Sequence, residues 1–512
     1  MLREHIRAAT EALSRANTDD RVRGDLNTAQ ARDLKQALLH VARRQIGAAA
    51  ELALSSAGTA GLPGLPAGDR DDTAARAGQL ALAAAWNALG ELALFRGDGD
   101  TGVAAFGKAL ELSPDDVTAN AQLAELLESR HDVAAAKAHA ERALRSDPGA
   151  FAAGLALARC LMREEKFVAA ERAALTATKS SRATADELAL AWTLVGEARD
   201  RLNNTRDAFK AFMQANQLMR QRHGDLQQRS HPAHPANVRA FTEFVERSSA
   251  AAWRPGAALA TPAPAFLVGF PRSGTTLIEQ ALSSHANVVC LGETDHLFHA
   301  MSVVLKEGDL LERMSALTPA EIETVRAAYR RIVIADYPEA DGRLIVDKHP
   351  LHISILPLIH KVFPDAKIIV AGRDPRDVVL SCYQQCFGAN VATAQFWDLR
   401  RAADYYHAVM TLLTACREKL RLDLHEMAYR DVVVDFEGEM RKLADFLELA
   451  FDPAMLRYHE TARRRTITSA SARQVIRPIY DRSLQRWRRY ARELAPVLPA
   501  LNDWARRLGY EI

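Results

Sequence analysis

The sequence predicts a chain of two fold classes: an N-terminal all-α helical array, then an α/β domain built on a central parallel sheet. Three observations carry that prediction. Residues 1–220 place apolar side chains at three- and four-residue spacing almost throughout, which is the periodicity of one helix face. Inside that stretch a period of 34 recurs, linking Pro114 with Pro148, Ala109 with Ala143 and Leu110 with Leu144. From residue 264 onward the pattern becomes short β-branched runs (AFLVG, NVVC, RLIVD, AKIIVAG) alternating with helical segments, the signature of strand–helix–strand units.

The bulk properties fit this division. A chain of 512 residues exceeds one ordinary core. Its 48% hydrophobic and 25% charged content is that of a soluble globular protein. The 66 basic and 64 acidic residues leave +2, so no global field recruits nucleic acid or a membrane surface, and any anion site must be local. No run is long and apolar enough for a membrane span. The opening MLREHIRAATEALSR lacks an apolar core, so no secretory signal is expected. Cys160, Cys290, Cys382, Cys386 and Cys416 are odd in number and form no CxxC pair. They predict reduced thiols and a cytoplasmic protein.

Within the helical part, each of the 34-spaced prolines follows Ser or Asp after a helical run, where it stops one helix before the next. The segment WNALGELALFRGDGDTGVAAFGKALELSP resembles the tetratricopeptide repeat, with Trp86, Leu89, Gly90, Phe106, Ala109 and Pro114 in register. Gly102 stands where that pattern prefers alanine. Leu123, Ala124, Ala136, Ala140 and Ala143 form a second unit, and a third runs from Gly154 through Leu157, Ala158 and Ala170 to Ala177. Trp192, Gly196, Ala208, Phe212 and Ala215 form a fourth. Small residues let paired helices approach and large ones fill the gap to the neighbour. The resemblance implies a repeat solenoid over residues 1–220, clearest over 83–219. Such a surface would receive a peptide or protein partner, or a second copy of the chain. Ala31–Leu54 reads as a further helix, and SSAGTAGLPGLPAGDRDD as a loop. Residues 221–263, rich in Pro, His and small residues around a helical run Val238–Ser249, are expected to link the repeats to a domain over 264–512.

The most informative run is FLVGFPRSGTTLIEQAL. A buried strand, Ala265–Gly269, leads into a tight turn, and a helix opens near Thr275. Helix N-termini present unpaired N–H groups and a positive dipole end, which suits a phosphate. The spacing Gly269-x4-Gly274-Thr275-Thr276 is that of a Walker A loop with Thr275 in place of the lysine. Arg272 supplies the positive charge instead. Kinases and NTPases use the lysine and magnesium to neutralise a γ-phosphoryl group; a sulfonate carries less charge and needs less. A second such unit, AKIIVAGRDPRDVVLSCYQ, has Asp374 to cap its helix and Pro375 in its first turn. Arg373 and Ser381 meet on one anion only if that helix packs back beside its strand.

On these residues, the stretch from about 264 to 490 resembles the sulfotransferases that use 3′-phosphoadenosine-5′-phosphosulfate (PAPS), in particular the tyrosylprotein sulfotransferase group. The resemblance implies that Arg272, Ser273, Gly274, Thr275 and Thr276 hold the 5′-phosphate and sulfonate of the donor. It assigns Arg373 and Ser381 to the 3′-phosphate and Tyr429 to the same nucleotide. It makes SASARQVIRPIYDRSLQRWRRY a segment closing over the donor, with Arg486 as its basic contact. Glu293 matches the family's general base, Lys348 the residue that stabilises the leaving group, and Ser471 its serine partner. The position before Glu293, often a second carboxylate in the family, is Gly292 here. Cys290 matches a cysteine that forms a disulfide in the secretory-pathway enzymes, and its partner position is Val346.

Sulfuryl transfer needs an in-line acceptor oxygen, a group to take its proton and positive charge on the departing oxygen. No metal is implied. The acceptor stays open between a peptide tyrosine, a saccharide and a small molecule. Three other readings stand beside this one. RLIVD could be a Walker B strand with Asp347 on magnesium, as in a P-loop kinase or NTPase. A histidine (His296, His299 or His349) could replace Glu293 as the base. The repeats could be the function, with an inactive catalytic relative attached.

Overall fold

The computed structural model describes residues 67–229, 231, 233–248, 263–305, 316–464 and 484–512, with isolated positions at 39, 44, 313, 475 and 479. The segment Ala31–Leu54, Ser471 and Tyr480 lie outside the described residues, apart from Leu39 and Arg44. Contacts divide the chain into two compact units, 1–208 and 209–512.

In the N-terminal unit helices pack in consecutive pairs. Helix α1 (Ala67–Phe95) pairs with α2 (Gly99–Leu112), α3 (Val117–Ser129) with α4 (Val133–Ser146), and α5 (Phe151–Arg163) with α6 (Phe167–Ala177); α7 (Ala185–Arg201) follows. The 34-residue period of the sequence is the period of the helix starts. First helices begin at Val117, Phe151 and Ala185, and second helices at Gly99, Val133 and Phe167. Each second helix needs the chain to reverse, and Gly97, His131 and Glu165 do so with left-handed φ values of 78°, 69° and 59°. Asp98, Asp116 and Asp132 cap the helices that follow them by accepting a backbone N–H, a strong N-cap choice. The small residues meet the neighbouring helix: Ala109, Ala124, Ala136, Ala140, Ala143 and Ala170 are fully buried. Phe106 fills the space above Gly90, where an added Cβ would lie 2.7 Å from its ring. At Gly102 an added Cβ would lie 3.0 Å from Leu94, so glycine in place of the usual alanine makes room for that leucine.

The C-terminal unit holds a five-stranded, all-parallel sheet of order β2-β3-β1-β4-β5. Its strands are β1 (Ala265–Gly269), β2 (Val288–Cys290), β3 (Leu344–Lys348), β4 (Lys367–Gly372) and β5 (Asp423–Ala428). The two-residue period of a strand sorts the side chains between two cores. Phe266, Val268, Ile368 and Val370 face one helical layer, while Ala265, Leu267, Ile369 and Ala371 face the other. Sheets covered on both faces read as continuous apolar runs, which is why AFLVG and KIIVA were legible.

The division between units falls between Ala208 and Phe209, inside helix α8 (Thr205–His223), upstream of the 221–263 linker that composition predicts. Residues 209–247 pack into the C-terminal unit instead. Phe209 stacks on Tyr383 at 5.2 Å, Asn216 donates to the Tyr383 carbonyl, and Arg220 pairs with Asp398. Helix α9 (Pro235–Arg247) buries Val238, Phe241 and Val245 against the long helix Leu399–Lys419. Proline and histidine content signalled a linker here, but Pro235 opens this helix at its first turn, where proline is favoured.

Candidate active site

In a parallel sheet all carboxyl ends lie on one edge, and ligands of such folds bind there, where strand order reverses. Here β1 is flanked by β3 on one side and β4 on the other, and the predicted residues gather around its end. Two strand–turn–helix units supply the first cluster. After β1 the turn enters helix α10 (Thr275–Leu282) through Gly274, which adopts a φ of 106°. A Cβ there would sit 2.9 Å from the Tyr429 ring, so only glycine brings the turn this close to β5's end. Ser273, Thr275 and Thr276 are buried at the start of this helix. Arg272 holds a left-handed φ of 71°, costing about 1–3 kcal/mol for a side-chain-bearing residue.

The second unit holds that strained residue in place. Arg272 Nε donates to Ser381 Oγ at 3.0 Å, and Arg373 Nη1 donates to the Arg272 carbonyl at 3.1 Å. Arg373 also lies 5.1 Å from the Tyr429 ring centre, a cation–π distance. Arg373 and Ser381 thus meet at the same residue, one at the Arg272 carbonyl and the other at its Nε, and Asp374 caps the helix Pro375–Gln384 that carries Ser381. Arg272, Arg373, Ser381 and Tyr429 form one basic cluster.

Asp377, in the first turn of that second helix, was not anticipated from the sequence. Its carboxylate lies 3.9 Å from Arg373 and accepts the Trp487 amide at 2.8 Å. Burial pushes its carboxyl up to about 6, against the opposing pull of Arg373 and the Trp487 N–H. Trp487 follows Arg486, a half-buried residue, so the C-terminal segment is fastened at the arginine cluster by a backbone bond. Arg376 lies over the Trp487 ring at 4.0 Å and pairs with Asp374 at 2.7 Å.

The second cluster stands at the end of β3. Lys348 is 1% exposed, and its ammonium lies 2.7 Å from Glu293 and 3.0 Å from Glu279. Burial alone would lower its basicity, but the two carboxylates outweigh burial and hold it above 10.5. Glu279 was also missed. The available signal was the single charged residue of TTLIEQAL, one helical turn beyond Thr275 and on its face. Gly292, with φ 72°, points its absent Cβ toward the Glu279 carboxylate, 3.9 Å away.

The competing candidates are engaged elsewhere. Asp347 is fully buried and accepts the Tyr329 hydroxyl at 2.9 Å, with His352 at 3.4 Å; it belongs to the core and not to the sheet's edge. His296 is held at both ring nitrogens, by Thr294 at 2.6 Å and Asp336 at 2.8 Å. Burial pulls the His349 imidazole down to about 3, so it is neutral at pH 7 and a poor proton acceptor. His299 is exposed on helix His296–Ser302. Cys290 and Val346 are direct neighbours across β2 and β3, and Cys290 is a free thiol.

Residues 264–453 match the sulfotransferase family model. An uncharacterized protein of Aquifex aeolicus (strain VF5) is 29% identical over 316 residues, covering 59% of this chain and 40% of its own length. The protein-tyrosine sulfotransferase of Drosophila melanogaster is 27% identical over 48% of this chain and 51% of its own. Protein-tyrosine sulfotransferase 1 of Danio rerio is 28% identical over 48% and 72%. The chain thus spans about half, or less, of the first two relatives. Among solved structures, the sulfotransferase domain of the Synechococcus PCC 7002 olefin synthase aligns at 21% identity over 50% of this chain and 99% of its own, with a TM-score of 0.37. The family match covers residues 264–453, and it is over this stretch that the chain is similar to the sulfotransferase family.

Proposed function

We propose that this chain is a sulfotransferase moving the sulfonate of PAPS to a hydroxyl group. The observation that carries the reading is the bond pair joining Arg272 to Ser381 and Arg373. It brings the loop suited to a 5′-phosphosulfate against a basic site suited to a 3′-phosphate, the group that distinguishes PAPS from ATP. In this reading Glu293 takes the acceptor's hydroxyl proton as the acceptor oxygen bonds to sulfur. The bond from sulfur to the 5′-phosphate oxygen breaks, and Lys348 donates a hydrogen bond to that oxygen as it gains the electron pair. Ser273 to Thr276 and the N-terminus of α10 bind the donor's anionic end, and Tyr429 and Arg486 flank its nucleotide. The relatives named protein-tyrosine sulfotransferases support a peptide tyrosine as the first acceptor to try. The 34-residue period of helix pairs supports a tetratricopeptide solenoid, which would recruit the acceptor or a partner. A valine opposite Cys290 supports a reducing compartment.

Calorimetric titration of the full chain with adenosine 3′,5′-bisphosphate tests the donor assignment. It should bind more tightly than AMP, and Arg373→Ala should erase the difference. Truncating one member of a buried charge pair costs about 2–5 kcal/mol, or roughly 30- to 5,000-fold in affinity. Equal binding of the two nucleotides by the unaltered chain would overturn the reading. Glu293→Ala should leave bisphosphate binding intact and lower transfer by about 10²–10⁴.

A further inference from the structure

Lys348 faces two carboxylates that differ in kind. Glu293 stands at the open side, its side chain 36% exposed, whereas Glu279 is only 7% exposed and rises from the helix that begins at the anion loop. Lys348 donates a hydrogen bond to Glu293 at 2.7 Å and forms an ion pair with Glu279 at 3.0 Å. One cation is therefore shared by one accessible and one enclosed counter-ion.

That arrangement matters once Glu293 acts as a base. When it accepts the acceptor's proton it becomes neutral, and its attraction for Lys348 collapses at the moment the leaving oxygen needs a cation. A buried ammonium without a counter-ion tends to lose its proton. We propose that Glu279 is a positioning residue: a second, enclosed counter-ion that keeps the Lys348 ammonium charged and in place while Glu293 carries the proton. Glu279 is fit for this because its enclosure keeps it from the acceptor. Its helix also fixes its distance to the loop that grips the sulfonate. The role rests on the sulfotransferase reading, but its physical core is a property of the free protein.

The same geometry predicts how the rate depends on pH. With Glu279 removed, the basic limb of a rate profile should move to lower pH, because Lys348 loses its proton more readily. A residue that merely packed the helix would lower the rate evenly at every pH.

The test needs no acceptor. In protein labelled with ¹³Cε-lysine, the Lys348 resonance is assigned by its absence in Lys348→Met and followed through an alkaline titration. Glu279→Gln should lower its midpoint by about 1–3 pH units, the effect of removing an adjacent opposite charge. Glu279→Asp should restore most of the loss. A midpoint unmoved in Glu279→Gln, in a protein whose thermal transition matches the unaltered chain, would overturn the proposal. If Glu279→Gln fails to fold, Glu293→Gln decides: Glu279 alone should then keep the Lys348 midpoint at or above that of an ordinary lysine, about 10.4, and a midpoint well below it would overturn the proposal. Adenosine 3′,5′-bisphosphate titrated into the same samples separates the two ideas. Absent binding in the unaltered chain removes the donor reading and leaves the Lys348 result standing.

Discussion

Replacing Asp377 by asparagine should remove a pH-dependent cost that the fold carries at neutral pH. Asp377 is 2% exposed, and burial raises its carboxyl from 3.8 to about 6. At about 1.36 kcal/mol per unit, keeping it ionised at pH 7 costs the folded state about 3 kcal/mol. The sign follows from proton counting. Between 3.8 and about 6 the folded protein holds a proton that the unfolded chain has released, so this group's contribution falls as pH rises. It is fully present below 3.8 and lost above about 6. An asparagine side chain cannot ionise, and its amide oxygen can still accept the Trp487 N–H, so Asp377→Asn keeps the clasp but loses the titration. Urea unfolding of both proteins, monitored in the C-terminal unit from pH 4 to pH 8, reads the difference in stability directly. Between pH 4 and pH 8 that difference should shift in favour of the variant by about 2.4 kcal/mol, nearly all of it by pH 7. The Arg373 attraction acts only on the ionised carboxylate and is already contained in the value of about 6. A difference that is flat across this range would refute the reasoning, because Asp377 would then be no more costly to ionise in the folded state than in the unfolded chain.

Two further substitutions test the geometry of each unit. Gly274→Ala forces a φ of 106° on alanine and sets its Cβ 2.9 Å from Tyr429; it should cost about 1–3 kcal/mol and weaken adenosine 3′,5′-bisphosphate binding together with stability. Unchanged melting and binding would mean the turn has another shape. Gly90→Ala puts a methyl 2.7 Å from the Phe106 ring, and overpacking of about 1–3 kcal/mol should exceed the roughly 1 kcal/mol gained in helix propensity. Phe106→Leu in the same background should recover the loss, and additive effects in that cycle would deny the contact.

What could be read from the sequence was local. The 34-residue period, the capping aspartates and the continuous apolar runs each state their structure within a few residues. Helix pairs, turns and the parallel sheet were accordingly legible. So was the tight turn after β1, because Gly274 admits the left-handed φ with which the helix begins. The limit of the repeat region was not legible, since proline and histidine in residues 221–240 read alike in a linker and at a helix start. Only the tertiary packing of Phe209, Asn216 and Val238 assigned that stretch to the C-terminal unit.

Tertiary structure likewise decided the electrostatics of the site. Arg373 and Ser381 were candidates by type, but their meeting at Arg272, more than a hundred residues earlier in the chain, is a property of the tertiary structure. Glu279 and Asp377 gave no clear signal, because a buried charge is recognised only by what surrounds it. Lys348 was identified as a single residue, and only the fold made it the shared centre of two carboxylates. Sequence by itself determined which elements form and which residues stand at their ends, since those depend on neighbours along the chain. The pairing of charges across strands and helices far apart in sequence depends on distance and burial, and these exist only once the sheet has assembled.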